Sequence, residues 1–156
     1  MMLGGVIFSI TRPSVRIWPP PKQGSWQHYL AWFLFSTAVT LTVVLALLTL
    51  DSWVISPEIR CFIGIPISLI GGLLLSWGIV TLGIENTSGA AGGFIGKGPY
   101  RFTRNPQYLG DMALFLGLAL LINSLYVAVP LILQSIVFAI TPLSEEPWLE
   151  EQYDNE

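Results

Sequence analysis

The chain has 156 residues, of which 53% are hydrophobic and only 11% charged, with a net charge of −3. Soluble domains carry about 25% charged residues, so too little charge remains to dress a water-facing surface, and no basic stripe points to nucleic acid. A single cysteine, Cys61, and a single histidine, His28, exclude an intrachain disulfide, a cysteine-based zinc site, His-dependent triads and HExxH metal sites; no bound metal is expected.

In chain order, residues 1–25 open with MMLGGVIFSI and soon reach Pro19-Pro20-Pro21. The opening has neither a basic n-region nor a small-residue cleavage pattern, which argues against a cleaved signal peptide. It reads as a cytosolic or interfacial segment. Residues 26–50 carry no formal charge and are long enough to cross a bilayer core of about 30 Å. A second uncharged run lies between Arg60 and Glu85, centred on FIGIPISLIGGLLLSWGIVTLGI. Its Gly64, Ser68, Gly72 and Ser76 recur every fourth position and predict a face for close helix contact within the monomer. Residues 85–107 follow as a loop, and its Gly/Ala-rich TSGAAGGFIGKG predicts flexibility.

The next apolar run, 112–144, would be about 50 Å long as one helix, well beyond the bilayer core. Asn123-Ser124 is a polar pair suited to a turn and a new N-cap, and Pro130 weakens a continuous helix. The sequence therefore predicts a tight hairpin, 108–122 down and 125 to about 143 back. The fold class is an all-α integral membrane protein with about four transmembrane helices within 26–144 and an acidic segment at 145–156. Arg12, Arg16 and Lys22 precede the first span and Lys97, Arg101 and Arg104 follow the second, whereas the opposite side holds Arg60 alone. By the positive-inside rule both termini and the loop 85–107 are cytosolic. The expected location is the plasma membrane, or the endoplasmic reticulum in a eukaryote. Trp18, Trp26, Tyr29, Trp53, Tyr126 and Trp148 fall near the predicted interfaces.

Two polar clusters then face one compartment, GKGPYRFTRNPQY and SEEPWLEEQYDNE. Arginines beside a span are usually topogenic, and acidic tails are usually solvated faces. The mixture points further. Arg104 can grip a carboxylate bidentately, Asn105 adds an amide, and Pro106 can start a helix. Tyr100 and Tyr108 supply faces that attract a cation, while Glu145 and Glu146 can hold an ammonium. Together they suit a zwitterion with an extra positive centre, and S-adenosylmethionine is such a ligand. Asp111 reads as a carboxylate bonded near a helix N-terminus, with substrate contact as the alternative. His28 reads as interfacial and Cys61 as a small apolar filler.

GPYRFTRNPQYLG, a hydrophobic hairpin and EEPWLEEQY together resemble the integral-membrane isoprenylcysteine carboxyl methyltransferase and phospholipid methyltransferase superfamily. Gly98, Pro99, Tyr100, Arg104, Asn105, Pro106, Tyr108 and Gly110 match the first block of its pattern; Glu145, Glu146, Leu149 and Tyr153 match the second. The resemblance covers roughly residues 87–156. Gly96-Lys97-Gly98 is similar to the GxG cofactor motif of the phospholipid branch. The resemblance implies that S-adenosylmethionine is held by Gly96, Gly98, Tyr100, Arg104, Tyr108, Glu145 and Glu146, with Arg104, Asn105 and Glu146 catalytic. Relatives continue past the acidic block, which implies a truncation at Glu156.

The reaction implied is in-line methyl transfer to a lipophilic acceptor, either an isoprenylcysteine-type carboxylate or a lipid head group. A carboxylate needs no base; an amine must first lose a proton, for which Glu146 is the candidate. With no obvious neutral-pH base near the clusters, the sequence leans toward a carboxylate or another acceptor that needs little help. Two rivals are a non-catalytic scaffold of the same fold and an NADPH-dependent membrane reductase. The acidic tail offers the latter no basic residues for a 2′-phosphate.

Overall fold

The computed structural model describes residues 2–12, 17–87 and 96–146, and among these every regular element is helical. The α-helices are α1 (Met2–Thr11), α2 (Trp26–Thr49), α3 (Pro57–Leu82), α4 (Ile84–Thr87), α5 (Pro106–Ile122) and α6 (Leu125–Ile140), with a 3-10 turn at Gly98–Arg101. After a turn at Thr141 the last leg runs on helically to Glu146. The Gly/Ala-rich stretch falls largely outside the described residues, as do Arg16, Trp148, Leu149 and Tyr153.

Local chemistry explains the boundaries. Ser25 caps α2 by accepting the His28 amide at 3.2 Å. Pro57 and Pro106 open α3 and α5, where a missing N–H costs nothing. The α5–α6 turn consists of Asn123, left-handed at φ 51°, and Ser124 in extended N-cap geometry; Asn is among the few residues that adopt this region readily. The hairpin is thus as the sequence predicts, but Pro130 lies inside α6 and does not end it.

Three helices, Trp26–Thr49, Pro57–Leu82 and Leu125–Glu146, are long and apolar enough to cross a membrane. The apolar α5 has 17 residues, about 26 Å at 1.5 Å per residue, short of that length. The outer surface is apolar: Val54, Phe62 and Val80 are each more than 80% exposed, a pattern that lipid tolerates and water does not.

The closest helix pair is α3 against α5. A methyl added to Gly71 would sit 2.8 Å from the Gly110 carbonyl oxygen, one on Gly110 2.5 Å from the Leu75 nitrogen, and one on Gly117 2.8 Å from the Gly64 carbonyl. The two backbones therefore touch. The seam on α3 runs through Gly64, Ser68, Gly71 and Gly78, whereas Gly72 meets nothing within 4 Å and Ser76 is exposed. This corrects the every-fourth stripe. Four residues overshoot a 3.6-residue turn by about 40°, so the stripe leaves the partner after two steps. A seven-residue spacing drifts only about 20°.

Buried side chains centre on Val127, Ala128, Leu131 and Ala119 of the hairpin. Polar clasps hold α2 against it. Gln134 donates to Thr42 Oγ1 at 3.2 Å, and Thr49 and Ser124 share a hydroxyl bond of 2.7 Å. The α5–α6 turn and the α2–α3 connection knot together at one end. Asn123 donates to Asp51 at 2.7 Å and to the Trp53 carbonyl at 3.1 Å, while the Trp53 amide donates to the Asn123 carbonyl at 2.8 Å. Arg60 pairs with Asp51 at 2.6 Å. The Asn123 amide, then Arg60, hold the Asp51 carboxyl below its ordinary range.

Candidate functional site

The other end of the bundle brings the first polar block together with Glu145 and Glu146, starting with a tight turn. Gly98–Arg101 forms a single 3-10 turn, and Pro99 behind it is fully buried. Gly98 has φ +60°, and a methyl there would sit 2.8 Å from Thr81 Oγ1 and 3.3 Å from Trp77 Nε1. Close approach to α3 thus accounts for this glycine, which leaves exposed Gly96 as the member of the pair open to a ligand. Asn105 stands at the N-cap of α5, its carbonyl accepting the Leu109 amide at 3.2 Å and its side chain making no cap bond.

The two glutamates divide. Glu145 turns inward, where the indole N–H of Trp18 donates to its Oε1 at 2.6 Å and the Tyr108 hydroxyl donates to the same oxygen. Glu146 turns outward to Arg104, 3.6 Å away, with Arg104 90% exposed. Such an exposed pair contributes little to stability, and the guanidinium keeps donors to spare. Tyr100 lies close enough to Glu145 to feel its charge. Burial first, and that charge in addition, push its phenol up to about 12 against the bond from Gln107, so it remains a protonated donor.

Trp18 is the residue that the sequence reading placed only at an interface. It is positioned by α1, an element the sequence reading did not assign. Buried Ser9 on α1 accepts the Ile17 amide at 2.9 Å and the Trp18 amide at 3.1 Å. By contrast Trp26, Tyr29 and Tyr126 are well exposed, as interfacial rings should be.

Behind Tyr108 lies an apolar cavity of about 300 Å³, walled by α1, α2, α3, α5 and α6. Phe138 is its hub: the ring stacks on Tyr108 at 5.4 Å and 18° and meets Phe115 at 5.9 Å and Phe35 at 6.5 Å. Asp111 also lines it. Asp111 makes no hydrogen bond or ion pair among the described residues, contrary to the capping role expected of it. No group of His, Cys, Asp or Glu suited to a metal occurs among the described residues.

The blocks joined here are those of one family. Its model, phospholipid methyltransferase, matches residues 59–156, from the first turn of α3 through the acidic segment. The chain belongs to the phospholipid methyltransferase family. It is also 34% identical over 139 residues to phosphatidylethanolamine N-methyltransferase B of Dictyostelium discoideum, covering 82% of this chain and 70% of that protein. No solved structure matches. Family membership bears out the resemblance of the two blocks on its phospholipid side, and the long apolar helices agree with a membrane methyltransferase of that family.

Proposed function

We propose that this phospholipid methyltransferase family member uses S-adenosylmethionine to methylate the amine of a lipid head group at the cytosolic membrane surface, with α5 completing a fourth crossing. The observation that carries the reading is the meeting of Arg104 and Glu146 at 3.6 Å. Opposite charges held side by side are the complement of a free amino acid's carboxylate and ammonium. Arg104 can hold the carboxylate as a planar fork and Glu146 the amino group, and the same reading assigns Asn105, Gly96 and the protonated Tyr100 to the cofactor. Tyr108 and Glu145 close the inner wall. When bound, the cofactor supplies a methyl already activated on a sulfonium. The protein's work is then to position, to exclude water and to move one proton. The amine is preferred over an isoprenylcysteine-type carboxylate because the matched relative is named for an ethanolamine lipid.

Cofactor affinity in detergent-purified, correctly inserted variants tests this. Arg104→Ala and Glu146→Ala are each expected to weaken S-adenosylmethionine binding by about 1.5–3 kcal/mol, the range for a hydrogen bond to a charged group. Arg104→Lys should also bind poorly, because an ammonium lacks the planar fork. Wild-type affinity in Arg104→Lys and Glu146→Ala together would return both residues to a topogenic role and favour a non-catalytic scaffold.

A further inference from the structure

We infer that the aromatic cavity behind Tyr108 receives the ammonium end of the acceptor's head group, with Asp111 as its counter-ion and the acceptor of its proton. The inference deepens the methyl-transfer reading and rests on it, adding a place and a residue that neither polar block contains.

The wall of the cavity is made for a cation. Trp18, Trp32, Phe35, Tyr108 and Phe138 line it, and aromatic side chains attract positive charge, most strongly where water is excluded. Its volume of about 300 Å³ stands at the low end for small-molecule sites, roughly 300–1,000 Å³: enough for a head group, not for acyl chains. Among the described residues lining it, Asp111 is the sole charged one, and no described residue bonds to it. An ionised carboxylate in an apolar setting is strongly unfavourable unless a positive partner joins it or it takes up a proton. No described basic residue lies there: Arg104 is at the surface with Glu146, Arg60 is at the far end with Asp51, and Arg12, Lys22, Lys97 and Arg101 are exposed.

A capping role does not account for Asp111. The unpaired amides of a helix lie in its first four positions, and Asp111 is the sixth residue of α5. A carboxylate acceptor would meet like charge at this wall, so the cavity reverses the lean of the sequence toward such an acceptor. Glu146, the base considered from sequence alone, faces outward to Arg104.

The proton accounting closes. An ammonium has no lone pair, so one N–H proton passes to the Asp111 carboxylate, leaving a neutral amine and a neutral acid. The nitrogen lone pair then forms the bond to the methyl carbon as the carbon–sulfur bond breaks, its electrons remaining on sulfur. The product nitrogen again carries one positive charge, now as a methylated ammonium suited to the same aromatic wall.

The test uses the full chain in lipid nanodiscs. Binding is measured for a phospholipid with a trimethylammonium head group, which cannot be methylated, against one of equal chain length with a glycerol head group. The wild type should prefer the first at least about tenfold, Asp111→Glu should keep that preference, and Asp111→Asn should lose it. For an ethanolamine head group, Asp111→Asn should lower kcat/KM at least about 100-fold, the smaller end of general-base effects, with cofactor affinity unchanged. No head-group preference in the wild type, or wild-type preference and kcat/KM in Asp111→Asn, would overturn the inference. A wild type that prefers the ammonium lipid but binds no cofactor would sink the methyl-transfer reading and leave the ammonium pocket standing.

Discussion

Glu145 and Glu146 show what a sequence can and cannot say about a side chain. Neighbours on a helix point about 100° apart, so one of an adjacent pair can face in while the other faces out. Which does so depends on the phase in which the last leg leaves Thr141, and no motif encodes that. The matched residues around Arg104 were legible because they are contiguous and unusual between apolar spans. Trp18 was not, because it bonds Glu145 across a sequence separation of 127, and a tryptophan near a span has the simpler interfacial meaning. The contact makes a definite prediction. Trp18→Phe keeps an aromatic ring, though a smaller one, but removes the donor to a largely covered carboxylate, and should cost at least about 1–3 kcal/mol. Tyr108→Phe should cost a similar amount. Because both donors share one oxygen, the double variant should depart from the sum of the singles. Thermal unfolding of the four proteins in one detergent checks this, and strict additivity would mean that the two bonds act independently.

At the scale of elements, spans and the hairpin were legible for physical reasons. A run without charge has few alternatives to lipid, and Asn123-Ser124 is a polar interruption in a segment too long to be one crossing. The seam between α3 and α5 was only half legible. Small residues mark close contact, but sequence spacing alone hides the angular drift that separates Gly71 from its neighbour Gly72. The pair gives a contrast within one step of chain. Gly71→Ala places a methyl against the backbone of α5, where no rotamer can yield, and overpacking of this kind costs about 1–3 kcal/mol or more. Gly72→Ala enters open space and should stabilise α3 by about 0.5–1 kcal/mol through helix propensity. Melting temperatures that move in opposite directions support the seam; equal shifts would place the contact face elsewhere. α1 escaped notice because its opening reads as a bare apolar stretch, and only Ser9, holding the backbone of Ile17 and Trp18, explains why it packs where it does.

For the whole molecule, the helices separate two polar ends of different character. One is a knot of Thr49, Asp51, Asn123 and Ser124 that ties loop to loop. The other brings the first matched block to Glu145 and Glu146, and the basic residues Lys22, Lys97, Arg101 and Arg104 lie on its connections. In the proposed topology the second end faces the cytosol by the positive-inside rule, the short α5 crosses away from it and α6 returns Glu145 to that side. Cysteine labelling from either face of sealed vesicles tests the arrangement once Cys61, itself exposed, is replaced by alanine. Asn123 is a poor site for the probe, since its amide holds the knot together. Leu125 is better, being 52% exposed one residue beyond that turn. Lys97→Cys should react only from the cytosolic face and Leu125→Cys only from the opposite one. If both react from the same face, α5 does not cross the bilayer, and the cytosolic placement of Arg104 and Glu146 loses its support even though the two remain within reach of each other.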